Sequence, residues 1–138
     1  MDERDRVGAV GDTSEDSWGS FEVEPFCYVT TLGRVSGRRH TIEIWFAFHS
    51  ATAYMLSGGG RASDWVRNLE KTPEVTVRIG GREFIGRARV VTAPDESHLA
   101  RELVFAKYQP GYGGDLSGWR NRALPVAIDL HPLRGDRP

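Results

Sequence analysis

TTLGRVSGRRHTIEI, residues 30–44, decides how this chain of 138 residues is read. Thr30 and Thr31 close a strand, and a loop then carries Gly33, Arg34, Ser36, Gly37, Arg38, Arg39 and His40. A second strand opens at Thr41. The two glycines allow positive φ or close approach of the backbone to a ligand. Three arginines with no acidic residue in the loop present fork-shaped, charge-assisted donors beside exposed backbone N–H groups. Taken alone, the loop reads most plainly as an exposed turn with solvated arginines. The alternative is an anion-binding loop mounted on a strand pair.

A second segment, Ser57-Gly58-Gly59-Gly60-Arg61-Ala62, favours the alternative. Three consecutive glycines cost backbone entropy that turn geometry alone does not explain. They lie between a strand and a helix expected over residues 63–70, where backbone donors and the helix dipole suit a phosphate or carboxylate. Two anion sites next to apolar strands point to a long ligand with an anionic tail.

Outward from these loops the chain reads mostly as strands. Residues 26–31 (FCYVTT) are β-branched and aromatic, and residues 41–48 (TIEIWFAF) read as one long strand. Residues 53–57 pair back across a turn. The helix over 63–70 has Ser63 as N-cap and ends before Pro73. Residues 74–79 (EVTVRI) alternate strictly, Gly80-Gly81 makes a two-residue hairpin turn, and residues 82–91 return as the partner. Thr92-Ala93-Pro94-Asp95 reads as a capping box opening a helix to Tyr108. A glycine-rich loop over 109–118 and a short element around Trp119 precede a last strand over 125–130. The expected fold is mainly β (α+β), a small barrel or roll of about six mostly antiparallel strands with two to three short helices.

Charge divides the chain unevenly. Residues 1–24 hold eight acidic side chains against two arginines, and residues 25–138 hold 16 basic against 11 acidic. Residues 1–18 are therefore expected to be a disordered acidic leader, with residues 19–132 as the folded domain and 133–138 as a tail. The mild charge of the folded part fits an anionic small molecule rather than a nucleic acid. No apolar run approaches the ~20 residues that cross a bilayer, and no signal-peptide pattern opens the chain. Cys27 is the only cysteine, which fits a reducing cytoplasm and, within a strand, a small buried hydrophobe.

The inventory of reactive groups is thin. His40, His49, His98 and His131 lack metal-ligand spacing, and no nucleophile elbow, Walker loop or dinucleotide fingerprint is present. No catalytic side chain and no metal site are expected. If the chain is an enzyme, a bound cofactor does the hard step.

The runs TTxGRxSGxxxxxxI and SGGGRxSDWxxNLxxxPxVxVxxGxxxxxGRAR resemble the deazaflavin-dependent nitroreductase family over about residues 26–130. The resemblance implies a split β-barrel that binds coenzyme F420, and a hydride passed to an electrophilic small molecule such as a quinone, an enone or a nitro compound. It implies that the phosphate and acidic tail meet Arg34, Ser36, Gly37, Arg38, Arg39 and Arg61, Gly33 belonging to the same loop. The backbone of His40, Thr41, Ile42, Glu43 and Ile44 would follow the deazaflavin ring. Ser57, Gly58, Gly59, Gly60, Ala62, Trp65 and Asn68 would complete the pocket. This chain departs from the family at His40 and at Glu43-Ile44, where Arg and Pro-Leu are frequent, and Val35 replaces a basic residue. FMN on the same fold, or F420 binding without turnover, are the rival readings. Tyr108, Tyr112 and Trp119 flank the glycine-rich loop, either as a lid over the substrate or as packing. A homodimer is one expected assembly.

Overall fold

The computed structural model describes residues 20–132. The expected acidic leader, residues 1–18, and tail, residues 133–138, lie outside them, and the described chain opens with a 3-10 turn over Ser20–Val23. The strands are β1 (Cys27–Leu32), β2 (Arg39–Ile44), β3 (Ala47–His49), β4 (Thr52–Ser57), β5 (Glu74–Ile79), β6 (Arg82–Val90) and β7 (Leu124–Pro132). The helices are α1 (Asp64–Lys71), α2 (Pro94–Tyr108) and α3 (Ser117–Arg122). Every strand pairing is antiparallel, in the order β2-β1-β5-β6-β7-β4-β3.

That order closes the sheet into a split barrel. A flat sheet of seven strands would hold its two edges about 29 Å apart, at ~4.8 Å per strand. Yet the edges β2 and β3 are joined through Trp45 and Phe46 alone, a link that reaches about 11 Å at ~3.8 Å per Cα step. The sheet must curl until its ends meet. The single strand expected over residues 41–48 is thus two strands meeting at a bend, which raises the count from six to seven. Trp45-Phe46 keeps a strand-like composition through that bend, so the break leaves no mark in the sequence.

Alternation fills the interior. Cys27, Val29 and Thr31 of β1, Val75, Val77 and Ile79 of β5, and Phe84 and Ala88 of β6 point inward and are buried. Val66 and Leu69 of α1 plug one end of this core. β4 is buried at all six positions because both faces are covered. Ala53 and Met55 face the barrel, while Tyr54 and Leu56 meet α2 and its neighbours. The Gly80-Gly81 turn takes φ of 58° and 88°, the mirror-image turn that matches strand twist.

Cys27 is fully buried, and burial pushes its thiol up to about 12, so it is inert packing. Neither expected helix cap forms. Ser63 occupies the N-cap of α1 without capping it, because its hydroxyl meets Ser57 Oγ at 3.0 Å. The N-cap of α2 is Ala93, one residue past the expected Thr92.

Candidate functional site

The loop between β1 and β2 is held from within. Gly33 N–H donates to Arg38 O (2.7 Å), Gly37 N–H to Gly33 O (2.9 Å) and Arg38 N–H to Ser36 Oγ (3.1 Å). Three of the backbone donors expected to face an anion are therefore spent on the loop itself, which leaves the guanidinium groups as its main charged offering. A cleft of about 510 Å³ opens beside it, within the size range of small-molecule sites. Gly33, Arg34, Ser36, His40, Thr41, Ile42, Trp65 and Asn68 line it, joined by Thr31, Val35 and Asp64.

Asn68 is the hub of this cleft. It is 3% exposed. Its Nδ2 donates to Thr31 Oγ1 (3.1 Å), and its Oδ1 accepts from Arg34 N–H (3.1 Å) and Arg34 Nη1 (2.9 Å). The other arm of Arg34 reaches Asp64 Oδ1 at 3.1 Å, and Lys71 Nζ donates to Arg34 O at 3.3 Å. Three residues of α1 therefore fasten the basic loop to the barrel. An arginine thought to lack an acidic partner has one 30 positions away, which adjacency in sequence does not reveal.

Arg38 and Arg39 differ from Arg34: neither forms an ion pair among the described residues. Arg39 lines a smaller hollow of about 290 Å³ with Thr30, Thr72 and Thr76 rather than the main cleft. Arg61 lies outside the cleft and pairs with Glu70 at 3.2 Å, half-exposed, where such a pair is weak. Glu43 is exposed, whereas Ile42 and Ile44 pack on the barrel core.

The glycine-rich segment serves its own fold first. Ser57 is buried, and its hydroxyl donates to Gly60 O (3.2 Å). Of the three glycines only Gly60 takes a left-handed φ, 63°. A Cβ on Gly59 would run into the Ser63 hydroxyl, and one on Gly58 would touch the Trp119 indole nitrogen at 3.6 Å. Ala62 is exposed in a 3-10 turn beside them.

Tyr108, Tyr112 and Trp119 come together around Trp45. Tyr108 stacks on the Trp45 ring (4.3 Å between centroids, 3° between planes), with Tyr112 and Trp119 edge-on at 5.9 and 5.8 Å. Tyr108 Oη also accepts from Phe46 N–H (3.0 Å) and sits 2.7 Å from Pro25 O. Burial pushes this phenol up to about 12. Tyr108 and Trp119 are half-buried, and Tyr112 is 47% exposed. Beside them lies a second hollow of about 460 Å³, walled by Glu22, Val23, Pro25, Trp45, Lys107, Tyr108, Gly111 and Tyr112.

The family model of the F420H2-dependent quinone reductases matches residues 4–131. The chain belongs to that family. Among solved structures, an F420H2-dependent reductase is 21% identical, with 78% of this chain and 94% of that one covered at a TM-score of 0.61. A conserved hypothetical protein of Mycobacterium tuberculosis is 16% identical (97% and 87% covered, TM-score 0.66). A chain described as a domain-swapped dimer is 19% identical (86% and 96% covered, TM-score 0.56). At these identities the structures attest the split-barrel fold. No curated relative matches the sequence.

Membership of the F420H2-dependent quinone reductase family makes this chain an oxidoreductase of the F420 type, and the donor set suits that cofactor. Arg38, at the end of the loop, and Arg39, at the start of β2, have no carboxylate partner among the described residues. The neighbouring cleft mixes apolar Val35, Ile42 and Trp65 with polar Thr31, Asp64 and Asn68, a lining compatible with a flat ring that carries an anionic tail. Residues missed from the sequence include Thr31, Lys71, Trp45 and Lys107. Lys107 carried a signal: it falls at i+3 from Val104 and i+7 from Ala100, on the buried stripe of α2. Among the described residues no helix is long and apolar enough to cross a membrane.

Proposed function

We propose that this protein reduces an electrophilic small molecule, a quinone in the first instance, with enones and nitro compounds as further candidates. The observation that carries the reading is the path of β2. His40, Thr41 and Ile42 line the basic cleft, and Trp45, three residues on, lines the aromatic hollow. Three residues of chain at ~3.3 Å each keep Trp45, in the bend just past the end of β2, within about 10 Å of Ile42, the span of a tricyclic ring system.

Reduced F420, when bound, supplies a hydride. The chain's part is to hold it: Arg38 and Arg39 at the phosphate and acidic tail, Arg34 and Ser36 at the loop, and the backbone of residues 40–44 along the ring. Asn68 and Trp65 form the opposite wall. The aromatic shelf of Trp45, Tyr108 and Tyr112 takes the acceptor and keeps water from the transfer. Holding two reactants face to face supplies on the order of 7–11 kcal/mol in favourable cases, so no single side chain near the ring carries the whole rate.

The test is oxidation of reduced F420 by the purified protein with menadione as acceptor. Turnover that saturates in both supports the reading. Tight F420 binding with no oxidation by menadione, an enone or a nitroaromatic refutes it in favour of a carrier. A homodimer is a proposal of the same kind, checked by light scattering.

A further inference from the structure

We propose that Lys107 is the group that binds the acceptor's oxygen and gives it a proton as it is reduced. This rests on the reading of the aromatic hollow as the acceptor site and names the residue that acts there. Tyr108 is the obvious donor by composition, but its hydroxyl is committed to the backbone of Phe46 and Pro25. Lys107 is placed differently. Its ammonium carries three N–H donors. Two go to carbonyls, Glu24 O at 2.7 Å and Phe46 O at 2.9 Å. The third has no oxygen acceptor among the described residues and meets only ring faces, Phe46 at 3.9 Å and Tyr108 at 5.2 Å to their centroids, far weaker acceptors than an oxygen. Lys107 lines the hollow beside the Trp45–Tyr108 stack, and this third donor is the one a ligand oxygen there would take.

No carboxylate pairs with Lys107 among the described residues. Burial lowers its ammonium to about 8, with Cys27, Glu22 and Glu24 opposing that shift from a distance. The other ionisable group in contact, Tyr108, is pushed the other way, and Cys27 stays a thiol over the working range. An ammonium lowered to about 8, on a residue that lines the hollow, is suited to proton transfer at working pH.

The step balances. When hydride has reached the acceptor, a carbonyl π bond has broken and its oxygen holds the extra electron pair. The Nζ–H bond then breaks as O–H forms, and the neutral amine regains a proton from water at the mouth of the hollow. Acceptors whose reduction leaves charge on oxygen, quinones above all, are the class this arrangement favours.

The experiment has a binding arm and a kinetic arm, on the full chain. Menadione added to cofactor-free protein quenches Trp45 fluorescence, with Trp45→Phe as the control for the other tryptophans. Lys107→Met is expected to weaken that binding about tenfold while F420 affinity stays unchanged. In the kinetic arm, kcat of the wild type with menadione falls as pH rises through about 8. Lys107→Arg keeps the donors and the staple to Glu24 O but holds its proton at all working pH values, so it keeps menadione binding and loses that alkaline limb. If Lys107→Met unfolds, the Lys107→Arg pH profile decides alone. Equal menadione binding by Lys107→Met, or an unchanged limb in Lys107→Arg, overturns the proposal. Failure of the wild type to bind F420 would instead overturn the functional reading, leaving the menadione arm measurable.

Discussion

Replacing Asn68 by leucine tests whether one buried carboxamide holds the basic loop on the barrel. The substitution removes two neutral hydrogen bonds, to Thr31 Oγ1 and from Arg34 N–H, and one charge-assisted bond from Arg34 Nη1. At ~1 kcal/mol for each neutral bond and ~1.5–3 for the charged one, the sum is about 4 kcal/mol. Arg34 is 23% exposed and keeps Asp64, so water recovers part of its loss. The Thr31 hydroxyl, 2% exposed, recovers little. We expect a net loss of about 3 kcal/mol, read from urea unfolding midpoints at constant slope. Asn68→Asp separates hydrogen bonding from shape. Its two oxygens still accept from Arg34, and the Thr31 hydroxyl rotates to donate, so the cost should stay within about 1 kcal/mol. F420 affinity should drop at least tenfold in the leucine variant, because the loop loses its anchor. A leucine variant as stable as the wild type would mean that Asn68 merely touches the loop.

Three further outcomes follow from the same geometry. Arg38→Ala with Arg39→Ala should weaken F420 binding by roughly 2 kcal/mol, about thirtyfold, with the wild-type affinity falling as salt is added; a salt-independent Kd would rule out the charged loop as the tail site. Gly59→Val should lower both the thermal midpoint and cofactor affinity, since its Cβ collides with the Ser63 hydroxyl at the entry to α1; unchanged melting would show that the Ser57–Ser63 contact is dispensable. On the far side of the barrel, Arg89 bridges Glu96 (2.7 Å) and Asp129 (3.0 Å) and holds both carboxyls below their ordinary range. Stability from depressed carboxyls is present above their unfolded values near 4 and is lost as pH falls through the folded ones. Arg89→Met should therefore cost about 1 kcal/mol at pH 6, discounted for exposure, and shrink the drop in urea midpoint between pH 6 and pH 3; a drop as large as in the wild type would place the acid sensitivity elsewhere.

What the sequence disclosed, and what it hid, follows from the range of the interactions. The hairpin of β5 and β6 was legible because alternation and Gly80-Gly81 are local signals, and the strand bounds of β5 match the expected residues 74–79. The seam at Trp45-Phe46 was not, since closing a barrel is a property of the whole sheet. The basic loop stood out by composition, yet its bonding did not. Arg34 finds Asp64 and Asn68 across 30 and 34 positions, and the loop's own turns take up the backbone donors of Gly33, Gly37 and Arg38. The expected cap at Ser63 failed for a related reason, its hydroxyl going to the Ser57 hydroxyl that the fold brings near. The helix expected to be capped by Thr92 instead starts one residue later, with Ala93 at its N-cap. Lys107 was overlooked because a lysine on a buried stripe reads as surface until its carbonyl partners, 83 and 61 residues away, are seen.

The central claim, that the basic cleft is a deazaflavin site, is tested most directly by parallel fluorescence titrations of the purified protein with F420 and with FMN, each at low and at high salt. The account predicts saturable F420 binding that weakens with salt, from the tail contacts of Arg38 and Arg39, and FMN binding weaker by tenfold or more, because one phosphate engages fewer of those charges. FMN binding as tight as F420, or F420 binding that ignores salt, would contradict it.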